Sequence, residues 1–427
     1  MKKKYFGLLG LLLVVILLSS CSVQVGSGIE KPTEEPLELK PIEVVESFNV
    51  KKLSHNQETS TEYQNTKLTD AQKGILQNFA TMWPSALFNG EKNEIFSSIS
   101  LYFALAMLDA GASDTEIITE LNNLMGASVD KVLPLMSTVY NNNHYNNEKG
   151  RCYLANSIWV RPELEIEEEY YEALSQYFNA ESYLANFASR EAKSKIVDWI
   201  NYYTEDLLQL TPENYDIDDS LAVMLLNTIY FNNTWLTEFE KLYERTFYSL
   251  KENVQTKFMY HKVHTSYKIT TSYIAVSDSF ANGNKIYYFM PKEANFEELF
   301  SMSFAELIKG MSYSDVKLTV PLFETMAEYD LVAPLKDMGY EKIFSGCNGY
   351  QGITQNIYVD IIKQNAGIKL TEKGVEAAAV TQIGAKVTSA GIDLPEIVIT
   401  LDHPFYYIIV DANNVPLFMG VTTNPKK

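Results

Sequence analysis

The side chains best suited to chemistry are scattered along this chain and do not form a catalytic motif. Among five histidines, His261 and His264 have HxxH spacing but no nearby third ligand, which is typical of solvated strand or loop residues. The acidic run Glu167–Glu169 favours a helix start, where the helix dipole stabilises carboxylates. No HExxH, P-loop, GxSxG or dinucleotide-binding glycine pattern occurs. The sequence therefore predicts no enzyme, no metal site and no cofactor.

The segment Glu372–Thr388 lacks reactive side chains but alternates like a strand. Successive strand residues point to opposite faces, so one face of this segment receives only small or apolar residues. That set is Val375, Ala377, Ala379, Thr381, Ile383, Ala385 and Val387. Glu376 and Lys386 fall on the opposite face, and turn-forming residues follow Thr388. The pattern predicts a strand beside a long loop that is able to enter an existing sheet.

Composition limits the classes of partner. The 427 residues are 46% hydrophobic, enough for one large or two modest cores, and the net charge is −19. Nucleic acids and sulfated glycans are bound by clustered Lys and Arg, which this acidic balance disfavours. We expect the negative charge to keep an exported surface soluble.

The N-terminus has the three regions of an export signal. Lys2–Lys4 precede the apolar run Phe6–Leu18, and Ser19 and Ser20 lead to Cys21. This ending resembles the bacterial lipobox, which implies that residues 1–20 are removed and that Cys21 is lipidated on the cell envelope. The alternatives are an ordinary signal with a chance cysteine, or a short membrane helix, although the run is brief for a span.

The remainder divides into a tether and one domain. Residues 21–66 begin with the Cys21 that the lipobox resemblance implies is lipidated. Their mixture of Gly, Pro and Glu with few large apolar groups predicts a flexible spacer. Residues 67–427 show no second linker. Thr69 or Asp70 is suited to capping a first helix, and Ser97–Leu108 is apolar nearly all round, as in a buried helix. Alternating strand patterns follow towards the C-terminus, which predicts a single α+β domain.

From about Thr69 to Pro425 the chain resembles a serpin, through seven segments in the family's order. They are Asn93–Ile117, Ile196–Leu210, Asn227–Phe239, Val320–Phe344, the hinge-like EKGVEAAAVT, Asp402–Phe405 and Pro416–Pro425. The resemblance implies three β-sheets, about nine helices and an exposed reactive-centre loop at about 374–401. It also implies a suicide-substrate protease inhibitor, directed at serine proteases and, as a second class, cysteine proteases.

In serpins the protease attacks this loop, whose N-terminal half then inserts into the large sheet and distorts the trapped protease. The resemblance assigns the hinge to Glu372, Gly374, Val375, Glu376, Ala377, Ala378 and Ala379. Inward residues must enter the sheet without an unpaired charge, a condition that the uncharged set meets. Val375 stands where the family usually has Thr or Ser, and we expect it to insert as well.

Family spacing from Glu372 places the reactive-site bond at Thr388–Ser389. An elastase-like or subtilisin-like protease, which prefers small or β-branched residues, would cut after Val387 or Thr388. A trypsin-like protease would instead cut after Lys386. We therefore expect broad target specificity.

Serpins open the large sheet beside a buried polar cluster, and Ser97, Ser100, Asn227 and Gln364 match its positions. Gln364 replaces the family's His. It can donate and accept hydrogen bonds but does not titrate near neutral pH, so we expect no pH switch there. Trp235 matches the breach, where the sheet begins to open. We expect the loop to insert between the strands that carry Asn227 and Gln364.

The expected partners are target proteases, held as covalent acyl complexes, and a membrane bound through Cys21. We expect a monomer that does not bind nucleic acid. Two alternatives remain: a non-inhibitory serpin that binds a ligand or partner, and a loop that is cleaved as a substrate without trapping.

Overall fold

The computed structural model describes residues 8–20, 50–53, 64–206, 210–214, 221–372 and 396–426. In these ranges the chain forms nine α-helices: α1 (Asp70–Leu87), α2 (Ser98–Asp109), α3 (Thr115–Met125), α4 (Val129–Asn143), α5 (Glu168–Phe178), α6 (Arg190–Tyr203), α7 (Glu297–Ser301), α8 (Phe304–Ile308) and α9 (Val332–Asp337). Two short 3-10 helices cover Pro212–Asn214 and Lys342–Phe344. None of these helices is long and apolar enough to cross a membrane.

Seventeen strands complete the described part of the chain. They are β1 (Leu8–Ser20), β2 (Val50–Lys52), β3 (Glu94–Phe96), β4 (Tyr145–Asn147), β5 (Gly150–Val160), β6 (Glu181–Ala185), β7 (Leu221–Asn233), β8 (Lys241–Tyr248), β9 (Asn253–Ile269), β10 (Tyr273–Ser279), β11 (Lys285–Pro291), β12 (Ser312–Pro321), β13 (Phe323–Asp330), β14 (Ile357–Leu370), β15 (Ile397–Thr400), β16 (Phe405–Val410) and β17 (Pro416–Thr422).

The strands join into two hydrogen-bonded ladders. The large sheet has the order β13-β14-β1-β7-β5-β6-β2, with β4 added to β5. The second ladder runs β15-β12-β9-β10-β11-β16-β17-β3, with β8 added to β9. Three sheets were expected, and the described strands form two ladders. The second ladder is continuous because β9 pairs with both β12 and β10. The expected α+β class is confirmed.

Helix α2 lies in the centre of the core, and all twelve of its residues are buried. Its sequence is apolar on every side, so burial from all directions is favourable. Ser97 is the N-cap and its hydroxyl accepts from the Ser100 amide at 3.3 Å. At α1, the expected cap is Thr69, which forms a capping box with Gln72.

The opposite face of the large sheet is covered by α6. Its Trp199 and Ile200 form a second apolar cluster with Trp159 of β5 and Leu226 of β7. Ser189 caps the helix by accepting from the Ala192 amide at 3.1 Å. The centre of the large sheet is therefore buried on both sides, which explains why all thirteen residues of β7 are buried.

Two N-terminal segments are strands of the large sheet, although the sequence predicted a leader and a solvated spacer there. Leu8–Ser20 forms β1 in the middle of the sheet, and Val50–Lys52 pairs with β6 at its edge. Lys52 donates to the carboxylate of Glu181 at 3.0 Å, and Tyr203 of α6 donates to the same carboxylate at 2.6 Å. Short apolar or mixed segments can add to open strand edges, a tendency that composition alone does not reveal.

Candidate functional site

The structure brings the four residues of the expected polar cluster together between α2 and the large sheet. Ser97 and Ser100 lie at the start of α2, Asn227 in the middle of β7 and Gln364 in the middle of β14. All four are fully buried. The Ser100 hydroxyl donates to the Asn227 carbonyl oxygen. These contacts tie α2 to the two strands between which we expect insertion.

Gln364 makes two hydrogen bonds with the backbone of Ser97. Its carbonyl oxygen accepts from the Ser97 amide at 3.0 Å, and its side-chain amide donates to the Ser97 carbonyl at 3.0 Å. Both polar groups of this buried side chain are thus satisfied. A neutral amide fixes the helix start without any titrating group.

The cluster includes a fifth residue that the sequence reasoning missed. Asn227 donates from its side-chain amide to Asn156 of β5 at 2.7 Å, and Asn156 donates to the Phe178 carbonyl at 2.7 Å. Asn156 lies in the mostly apolar run LANSIWV, where a polar residue at a buried strand position could have pointed to this role. The network therefore extends from β14 across α2 and β7 to β5.

Between the strands of this cluster lies the position expected for the inserted loop, and Leu8–Ser20 occupies it. In β1, Val14 is in register with both Asn227 of β7 and Gln364 of β14. The two strands are consequently hydrogen-bonded to β1 and not to each other. We call the space between β7 and β14 the insertion slot.

Away from the polar cluster, the insertion slot is lined by apolar side chains on both faces. Ile16 and Leu18 of β1 join the main core, and neither is exposed. Val15 and Leu17 pack into the cluster beneath α6, with 5% and 9% exposure. The slot therefore fits an extended, uncharged segment with small or medium apolar side chains.

Trp235, the expected breach residue, holds the end of β14. Its indole N–H donates to the Thr371 carbonyl at 3.0 Å, and its ring stacks on Phe280 with centroids 4.6 Å apart. Glu372, the first expected hinge residue, follows directly and is half-buried. The chain thus leaves the large sheet at a point fixed by an indole hydrogen bond.

The other loop and lipidation predictions fall outside the described residues. These positions are Gly374, Val375, Glu376, Ala377, Ala378, Ala379, Lys386, Val387, Thr388, Ser389 and Cys21. The chain is described again at Glu396, which accepts from Lys317 at 2.6 Å and raises the pKa of that lysine through this hydrogen bond. Ile397 then begins β15, which pairs in parallel with β12.

The structure separates the two histidines of the HxxH pair. His261 is buried, with Nε2 3.1 Å from the carboxylate of Asp278, whereas His264 is exposed, with Nδ1 2.9 Å from Asp315. The three-residue spacing places them on opposite faces of β9. Over the described ranges no group of three or more His, Cys, Asp or Glu side chains is placed to hold a metal ion.

Comparisons with known proteins bear on the family and the fold. A family model described as "Serpin (serine protease inhibitor)" matches residues 76–425. The chain is 30% identical over 378 residues to Iripin-8 from Ixodes ricinus, covering 83% of this chain and 92% of that protein. Similar solved structures include Tengpin, a thermophilic serpin in the native state, with TM-score 0.71, 22% identity and coverage of 85% and 96% of the two chains. Human thyroxine-binding globulin, solved as a ligand complex, gives TM-score 0.72 at 21% identity, with coverage of 83% and 98%.

Proposed function

Because the chain belongs to the serpin family, we propose that it inhibits proteases as a suicide substrate and has no enzymatic turnover of its own. The observation that carries the proposal is the insertion slot. Its two walls are strands of 13 and 14 residues, joined through α2 by the polar cluster. A slot of that length accepts a strand of roughly 45 Å, which is the length of Val375–Thr388 in extended form.

The proposed reaction begins as ordinary proteolysis. The nucleophile of the target protease attacks the carbonyl carbon of the reactive-site residue, and the amine of the next residue leaves with a proton. The resulting ester, or thioester for a cysteine protease, joins the protease to the N-terminal fragment, which now ends at the reactive-site residue. Insertion then competes with attack by water on this acyl bond. A fast insertion distorts the protease before the bond is hydrolysed and leaves a covalent complex.

Target preference is proposed from the residues around the bond. Val387 and Thr388 suit elastase-like or subtilisin-like proteases, and Lys386 suits trypsin-like ones. Thr388–Ser389 is the proposed bond, because the family spacing from Glu372 ends there. N-terminal sequencing of the C-terminal fragment after each protease would identify the bond, and a fragment beginning outside 387–390 would contradict this assignment.

One gel experiment tests the inhibitory function. Purified protein lacking residues 1–20 is incubated with elastase, subtilisin and trypsin, and the products are separated in SDS. A band that corresponds to the sum of both proteins, together with loss of protease activity, is expected. Cleavage with full protease activity would contradict inhibition and favour a plain substrate.

A second candidate function is binding without inhibition. Human thyroxine-binding globulin, which shares this fold, is a binding protein by its name and structure. This chain would be assigned to that class if a broad protease panel produced neither cleavage nor inhibition.

We further propose a location on the bacterial cell envelope through lipidated Cys21. The support is the order of basic, apolar and small residues that ends in Leu18-Ser19-Ser20-Cys21. In cells, labelled palmitate should enter the protein, and Cys21→Ala should abolish the label. Incorporation that survives Cys21→Ala would contradict the anchor.

A further inference from the structure

Strand β1 fills the insertion slot along its whole length. It pairs with β14 from Leu9↔Lys369 to Ser20↔Ile357, and with β7 from Leu8↔Asn233 to Ser19↔Leu221. Its 13 residues equal the length of β7. Both rows of backbone hydrogen-bonding groups that face the slot are therefore already paired.

The composition of β1 suits a strand that is buried on both faces. LLGLLLVVILLSS has no charged residue, and the side chains of Val15–Leu18 are alternately enclosed by the α6 cluster and the α2 core. Central strands with two covered faces are continuously apolar and do not alternate. The segment therefore matches the slot in composition as well as in length.

The reactive loop would need the same space. A strand has two edges, and the second edge of β7 is taken by β5, while that of β14 is taken by β13. A chain that turns back after Leu370 runs antiparallel to β14, and β1 has that orientation too. Two segments of nearly equal length, 13 residues in β1 and 14 in Val375–Thr388, would thus compete for one slot in the same direction.

We propose that Leu8–Ser20 is an intramolecular occupant of the insertion slot, so that the chain retaining residues 1–20 is an inhibitor held inactive. This inference rests on the proposed function. Hydrolysis of the Ser20–Cys21 peptide bond adds one water and leaves a carboxylate on Ser20 and an amine on Cys21. Release of the freed apolar peptide then opens the slot to the loop. Proteases inside the producing cell are thereby spared until export.

The test uses the full chain, in which two variants empty the slot by different means. Ile16→Asp with Leu18→Asp places two carboxylates in the core, whereas Val14→Pro removes a backbone donor from a central strand without adding charge. The matched control, Ser22→Asp with Ser27→Asp, adds the same two charges after the strand. Hydrogen exchange of the amides in residues 8–20 reports occupancy, independently of inhibition.

The full chain and the control should protect those amides, and both slot variants should lose at least about tenfold of that protection. After loop cleavage the melting temperature should rise in the slot variants, because the cleaved loop adds a strand. It should stay unchanged in the full chain. Protease trapping should appear in the slot variants alone.

Two results would overturn the inference: unprotected amides in the full chain, or equal trapping by the full chain and both variants. A different pattern would reject the proposed inhibition and not the occupancy. In that pattern residues 8–20 are protected in the full chain, and the slot variants are cleaved without trapping a protease.

Discussion

At the residue scale, Asp109 ends α2 with a carboxylate buried to 3% exposure. Neither of its oxygens has a hydrogen-bond partner among the described residues. Burial raises its pKa to about 7, and the negative end of the helix dipole is also unfavourable for an anion at this position. The protonated acid is therefore the form that the fold prefers.

This arrangement predicts that Asp109→Asn stabilises the protein at alkaline pH. The pKa of Asp109 is higher in the folded protein than in the unfolded one. Its contribution to the free energy of unfolding is therefore fully present below the unfolded pKa and is lost as the pH rises through about 7. At pH 8 the variant should gain roughly 2–4 kcal/mol in free energy of unfolding. Urea unfolding at pH 5 and pH 8 would measure the difference, and an equal gain at both values would contradict the account.

Gln364 carries the second prediction at this scale. Gln364→Leu keeps the volume but leaves the buried amide of Ser97 without its partner, and the Ser97 carbonyl keeps only the 3.4 Å bond from the Leu101 amide. The expected loss is about 2–4 kcal/mol in free energy of unfolding. Gln351→Leu, on an exposed turn, is the matched control and should change stability by less than about 0.5 kcal/mol. Equal effects of the two substitutions would show that the backbone contacts to Ser97 contribute nothing.

At the scale of elements, Glu181 connects three of them. It lies on β6 and accepts hydrogen bonds from Tyr183 on the same strand, from Tyr203 of α6 and from Lys52 of β2. Burial alone would raise its pKa, but these three donors together hold the pKa below the ordinary value. The ionised carboxylate therefore joins the edge of the large sheet to the helix that covers it.

Glu181→Gln should loosen this junction in a pH-dependent way. A depressed folded pKa contributes stability above the unfolded pKa, and that stability is lost as the pH falls through the folded pKa. We expect a cost of roughly 1–2 kcal/mol at pH 7 that shrinks at acidic pH. Urea unfolding at pH 7 and at an acidic pH measures this cost. Glu172→Gln, at an exposed position of α5, is the control. A cost that persists undiminished in acid would contradict the charge-based explanation.

Helices and C-terminal strands were largely predictable from the sequence, because local patterns decide them. Thr69 is the cap of α1, and the buried helix predicted at Ser97–Leu108 is α2 with Ser97 as its cap. Of the alternating patterns towards the C-terminus, the one that contains Val316, Leu318 and Val320 lies in β12, which ends at Pro321. The place of Leu8–Ser20 was not predictable, since an apolar run has the same composition in a leader and in a central strand. Which strand edges remain open is set by the assembled fold.

At the scale of the whole molecule, the outcome of a protease attack depends on how quickly the loop inserts. Ala377 belongs to the inward set, so Ala377→Glu should force an unpaired carboxylate into the apolar slot. The loop should still be cut, but fewer than about one attack in ten should end in a trapped protease. Counting trapped and cleaved molecules on SDS gels measures this ratio for protein that lacks residues 1–20.

Ala378→Glu provides the matched control, because its position falls on the outward set. It should trap proteases nearly as well as the parent protein. Equal loss of trapping in both variants would show that the assignment of faces is wrong. Trapping that survives Ala377→Glu would show the same.

The loop joins two different ladders: β14 before it belongs to the large sheet, and β15 after it belongs to the second. Beyond β15, the strands β16 and β17 are fully buried and pair with β11 and β3. A protease that cuts the loop therefore creates a two-chain protein whose small fragment stays bound by a complete set of strand contacts. Gel filtration would give one undivided peak for it, and only a denaturant would separate the fragments.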